Sequence, residues 1–170
     1  MKDPGTLNDA LRLGELRALA ILDTPPERDY DTLAARAAAA THSEVAAVNF
    51  VDGERHFTKA IVGKPEARGT SLDNDLSLCA VTIGEPDGVL VVPDMRADDR
   101  WRDHPVVSSE PGVGFYMGAA IVSGGQRVGV VCAFGPEPRE ITGEEQRELE
   151  LLAEQASAQL RLRARSSDPG

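Results

Sequence analysis

The run Val128-Gly129-Val130-Val131-Cys132-Ala133-Phe134 has no polar side chain at either parity. A strand with one wet face alternates apolar and polar residues, so this run predicts a central strand covered on both sides by helices or ordered loops. Together with the residues from Gly114 onward it forms a hairpin, Gly114 to Gly135, folded about Ser123-Gly124-Gly125, where the glycines accept positive φ. Nearer the amino end, Val45 to Val51 reads as a strand. Asp52-Gly53 turns it into a second, His56 to Val62. Val89 to Val92 is a third short strand, ended by Pro93.

The helical periods lie outside these strands. Leu7, Leu11, Leu13, Leu16, Leu19, Ile21 and Leu22 recur at spacings of three and four and predict an amphipathic helix over 6–22. A second helix is predicted to about Thr41, with Thr24 as cap, Pro25 in its first turn and Glu27 at the capping-box position. Its stripe is Tyr30, Leu33, Ala34, Ala37 and Ala38. Residues 63–75 read as a loop, and a short helix is centred on Leu76 to Ile83. The polar stretch Asp94 to Pro105 is expected to hold one helical turn, in a connection that continues to about Val113. An excursion of that length in a compact domain is more often functional than idle. The last helix starts at Thr142, with Glu145 in the reciprocal capping position and Leu149, Leu152, Ala153, Ala156 and Leu160 as its apolar stripe. Glutamates crowd its first half and Arg161, Arg163 and Arg165 its end, as the helix dipole favours. The expected organisation is one domain over 1–165, with a core at 24–136, terminal helices at about 6–22 and 142–164, and a flexible tail at 166–170.

Composition narrows the partners. The 170 residues carry a formal net charge of -10, against attraction to phosphate backbones or anionic membranes, so neither nucleic acid nor a membrane is expected. The first residues lack the apolar core of a signal peptide and no apolar run is long enough to cross a bilayer, so the expected location is cytoplasmic. Cys79 and Cys132 sit among apolar neighbours, where cysteine packs as a small hydrophobe and its thiol pKa is raised. His42, His56 and His104 are dispersed without metal-ligand spacing, so no metal or cofactor is expected. No Gly-x-Ser-x-Gly, Walker or paired-acid motif supplies a catalytic residue. Trp101 and Phe115-Tyr116 flank the long connection. They either pin it or line a small-molecule pocket with Asn49, Phe57, Asp75, Ser77, Cys79 and Cys132.

In order and spacing, several phrases resemble a branch of the GAF domain family, the small-molecule sensor modules of bacterial signalling proteins. They are ALAILDTPPERDYD from Ala18, VNFVDGERHFTKAIVG from Val48, LSLCAVTI from Leu76, LVVPDMRADDRWRDHPVV from Leu90, GVGFYMGAAI from Gly112 and GVVCAFGPEPREIT from Gly129. The resemblance implies an α+β fold, an α/β/α sandwich around an antiparallel sheet. Terminal helices would lie on one face, and the short helix and long connection would enclose a pocket on the other. Val81 and Ala120 stand where the branch commonly has histidine and proline, and the chain reads Ala133-Phe134-Gly135 where the strand after Cys132 usually ends in an aspartate. The cyclic-nucleotide pattern is missing, and Ala80 follows Cys79 where bilin-binding members have histidine. The implied function is a non-enzymatic sensor that binds an unidentified small molecule and signals through its terminal helices, as a homodimer or to a protein partner. Two alternatives stand beside it: a thiol-dependent methionine sulfoxide reductase using Cys79 and Cys132, and a ligand-free interaction scaffold.

Overall fold

In the computed structural model, which describes residues 4–167, the apolar run lies in strand β6 (Gln126–Gly135), between β1 (Val45–Val51) and β5 (Phe115–Ser123). With β2 (Arg55–Val62), β3 (Ser71–Asp73) and β4 (Val89–Val92) these make one six-stranded antiparallel sheet in the order β3-β2-β1-β6-β5-β4. Both faces of β6 are covered. Val131 and Ala133 join a core with helices α2 (Ala10–Leu19), α3 (Arg28–Ala40) and α6 (Gly143–Ser167), whereas Val130 and Cys132 join a second core with α4 (Leu78–Thr82), Met95, Trp101 and Val107. This is an α+β fold in three layers, with a central antiparallel sheet between helices. Gly124 and Gly125 form the two-residue hairpin turn with φ of 55° and 79°, conformations that a side chain would strain.

The helices depart from the sequence reading where side chains compete with the backbone. The expected single helix over 6–22 is broken into α1 (Pro4–Leu7) and α2, because Asp9 Oδ1 accepts from the amides of Leu11 and Arg12 and starts a new helix. The buried Arg12 guanidinium donates to the carbonyls of Thr6 and Leu7 behind it and to Val51 O, at 2.6 Å, in the sheet. Leu16 and Leu19 are buried, but Leu11 of the predicted stripe is exposed. Thr24 does not cap α3 and Glu27 makes no capping bond. Their side chains are engaged by Lys59 from β2, and Thr24 Oγ1 also donates to Ile21 O. The segment expected to be loop holds a 3₁₀ turn (Pro65–Ala67) and the edge strand β3. The helical turn of the long connection forms as α5 (Pro105–Ser108), after the polar stretch, with His104 Nδ1 accepting from the Val106 amide. Helix α6 continues through Ser167, past the expected end at 164, and the remainder of the proposed tail lies outside the described residues.

The capping box of α6 forms as read: Thr142 Oγ1 accepts from the Glu145 amide at 3.0 Å and Glu145 Oε1 from the Thr142 amide at 2.9 Å. Burial pushes the Glu145 carboxyl up, but donors from Thr142, His42 and Arg139 outweigh it and hold the pKa down to about 2. A depressed carboxyl stabilises the fold above its unfolded pKa and loses that contribution as pH falls through the folded value. Glu145→Gln is therefore expected to cost about 1.5 kcal/mol at neutral pH and to flatten the loss of stability between pH 4.5 and 2 in urea titrations followed by circular dichroism.

Candidate functional site

Alternation along the strands aims one set of side chains away from the terminal helices. On that side the sheet, the start of α4 and the long connection leave a partly open cavity of about 260 Å³. β1 contributes Ala47 and Asn49, β2 contributes His56, Thr58 and Ile61, and α4 with its approach contributes Leu76, Leu78 and Cys79. Tyr116, Cys132 and Phe134 complete the sheet side, with Val106 and Val113 from the connection. Lys64 stands exposed at the rim.

The polar groups of the floor are connected in one direction. Thr82 Oγ1 donates to Leu78 O at 2.8 Å, so its contact of 2.9 Å with Tyr116 Oη is a bond that the tyrosine donates. Tyr116 Oη therefore accepts from the Cys79 thiol, 3.5 Å away. The tyrosine ring reaches this position by crossing Gly118, where a Cβ would lie 2.4 Å from Tyr116 Oη. Contact with Cys132, then with Asn49 and Tyr116, outweighs burial and lowers the Cys79 pKa, a reversal of the sequence expectation. Cys132 behaves as expected and more: the neighbouring Cys79 thiol, followed by burial, raises its pKa well above the ordinary thiol value.

The Cys79 thiol proton is thus committed to Tyr116, and Asn49 faces that sulfur as a donor. Its Nδ2 lies 3.3 Å from Cys79 Sγ and 3.8 Å from Cys132 Sγ. The opposite end of the amide, Oδ1, is buried without a hydrogen-bond partner. Across the cavity His56 Nδ1 is 2.6 Å from Ser77 Oγ. That hydroxyl accepts the Ala80 amide as the cap of α4, and among the described residues Nδ1 is the one acceptor in reach of its proton, so the proton goes to Nδ1 and the imidazole carries its own on Nε2. Burial lowers the His56 pKa to about 4 and keeps the ring neutral at physiological pH.

Of the residues singled out in the sequence, Asn49, Cys79, Tyr116 and Cys132 meet in this cavity, and Ser77 supports it through His56. Phe57 is buried but absent from the walls, and Asp75 is exposed. Trp101 packs in the pocket-side core without reaching the cavity, and Phe115 belongs to the opposite core, because neighbouring strand residues point to opposite faces. His56 and Thr58 were missed. Their signal was two uncharged polar-type side chains at the same parity inside the strand. Among the described residues no group of three or more His, Cys, Asp or Glu side chains is placed to hold a metal ion.

Comparison with known proteins puts this geometry in context. A cyclic di-GMP phosphodiesterase of Pseudomonas aeruginosa is 30% identical over 123 residues, 71% of this chain; the chain spans only 20% of that relative's length. The GAF domain of a phosphoenolpyruvate-protein phosphotransferase from Acinetobacter superposes with a TM-score of 0.69 at 16% identity, covering 95% of this chain and 99% of its own. The free methionine-R-sulfoxide reductase of Neisseria meningitidis, in complex with its substrate, gives 0.65 at 18% identity, covering 94% of this chain and 93% of its own. At these identities the structural likeness speaks for the fold. The family model described as GAF domain matches residues 25–160, and the chain belongs to the GAF domain family.

Proposed function

We propose that this domain is a cytoplasmic, non-catalytic sensor whose cavity takes a small molecule and whose terminal helices report its presence. One observation carries the reading: strand β2 presents His56, Thr58 and Ile61 to the cavity and, between them, Lys59 to the helical layer. The Lys59 ammonium is bonded to Thr24, Pro25 and Glu27, and Glu27 is held in turn by Arg163 of α6 at 3.0 Å. A guest that moves β2 therefore pulls on the junction of α2, α3 and α6. No helix among the described residues is long and apolar enough to cross a membrane.

The thiols are poor candidates for turnover, with Cys79 at 2% and Cys132 at 1% exposure and the latter's pKa raised. Apart from the exposed Leu11, the apolar stripes of α2 and α6 are buried within one chain, and Leu151 and Leu162, exposed on one side of α6, offer an apolar surface for a homodimer. Native mass spectrometry of protein released gently from its host is expected to show twice the chain mass plus a bound small molecule. A bare mass would reduce the domain to an interaction scaffold, and a monomer across the micromolar range would remove the dimer.

A further inference from the structure

We infer that the cavity selects an uncharged guest of modest size that offers a hydrogen-bond donor to Asn49 Oδ1 and an acceptor to His56 Nε2, as a primary amide or lactam does. The inference rests on the reading that the cavity takes a small molecule and goes on to name its chemistry. Three observations support it. First, Asn49 Oδ1 is a buried acceptor left without a partner, on a residue 4% exposed that lines the cavity. The proton order through Thr82, Tyr116 and Cys79 holds the amide nitrogen toward the Cys79 sulfur, against turning the amide over to satisfy it. An unpaired buried carbonyl costs free energy that a guest N–H recovers.

Second, the His56 ring is held by Ser77 in the tautomer that places its proton on Nε2, and this nitrogen has no partner among the described residues. Donor and acceptor thus stand on adjacent strands: Asn49 is paired with Thr58, two residues from His56. Third, among the described residues the walls contain no carboxylate, and their one permanent charge, Lys64, is exposed at the rim. A charged guest would be buried without a counter-ion. The volume of about 260 Å³ lies just under the usual lower range for ligand pockets, about 300 Å³. It suits a single ring with a small polar group.

Benzamide, benzoate and acetophenone test this, because they share a ring and differ only in donor and charge. Isothermal titration against the whole chain is expected to find benzamide bound at least about tenfold more tightly than either other compound, the effect of one paired buried hydrogen bond. Asn49→Leu is expected to erase the advantage of benzamide over acetophenone while acetophenone still binds, which also shows that the variant retains its pocket. His56→Phe is the second variant, and it should weaken both carbonyl compounds by about tenfold or more. Benzoate binding as well as benzamide, or benzamide unaffected by both substitutions, would overturn the donor and acceptor assignment. Equal binding of all three would leave a merely apolar cavity. Failure of xenon and of all three rings to enter would instead sink the small-molecule reading on which the inference stands.

Discussion

Trp101→Ala is expected to lower the unfolding free energy by about 4 kcal/mol, the range of buried aromatic truncations. The ring is the largest fully buried side chain, 1% exposed, in the core with Met95 and Val107. Its edge meets the His104 ring at 5.7 Å, and the Arg100 guanidinium lies over it at 4.9 Å. Arg100 is also bonded to Glu85 at 2.6 Å, so the indole is where the polar part of the long connection is fastened to the rest of the fold. Urea denaturation measures the loss, and Trp101→Phe should keep more than half of the stability by retaining a ring in the same space. Because Trp101 pins the connection without lining the cavity, acetophenone affinity should stay within about threefold under conditions where the variant is folded. A tenfold change would move the indole into the wall.

The contrast between pinning and lining shows what was legible in the sequence. Strands β1, β4, β5 and β6 announce themselves because each is a largely apolar run bounded by turn residues, β2 follows from the Asp52-Gly53 turn and its β-favouring residues, and the two-sided burial of β6 follows from its lack of polar parity. Edge strand β3 has no such signal: Ser71, Leu72 and Asp73 are all exposed, and only backbone pairing with β2 makes them a strand. The split at Asp9 and the displaced cap at Thr24 are decided by side chains finding distant partners, Val51 for Arg12 and Lys59 for Thr24. In the site, the aromatic residues Phe57 and Phe115 drew the eye, although strand alternation already forbids Phe115 and Tyr116 from facing one cavity. Along β2 the polar pair His56 and Thr58, both buried, gave the better indication of a lined space. The proton order that fixes Asn49 is set by contacts among β1, β5, β6 and α4, and no local pattern encodes it.

Glu27→Gln is the second large effect expected, a loss of about 3 kcal/mol at neutral pH, because it leaves the Lys59 ammonium buried without its carboxylate. The Lys59 side chain is fully buried, and Thr24 Oγ1 at 2.7 Å and Pro25 O at 2.6 Å supply dipoles but no charge. Replacing lysine by methionine in the Glu27→Gln background removes the stranded charge and should restore much of the loss, so the two substitutions will be strongly non-additive. Burial raises the Glu27 pKa, but Lys59 and then Arg163 outweigh it and the net shift is downward. The sign follows: the contribution is complete above the unfolded carboxyl pKa near 4.5 and is lost as pH falls through the lower folded value. Glu27→Gln should therefore show a shallower acid limb than the parent chain. The same substitution separates sensing from reporting. Glu27 lies on the helical side of the sheet, so benzamide affinity should be unchanged, whereas amide exchange around Arg163 and at Leu19 and Ala20, whose carbonyls Arg163 also holds, should accelerate and cease to respond to benzamide. A response that persists at α6 without the Glu27 carboxylate would mean that another route crosses the sheet.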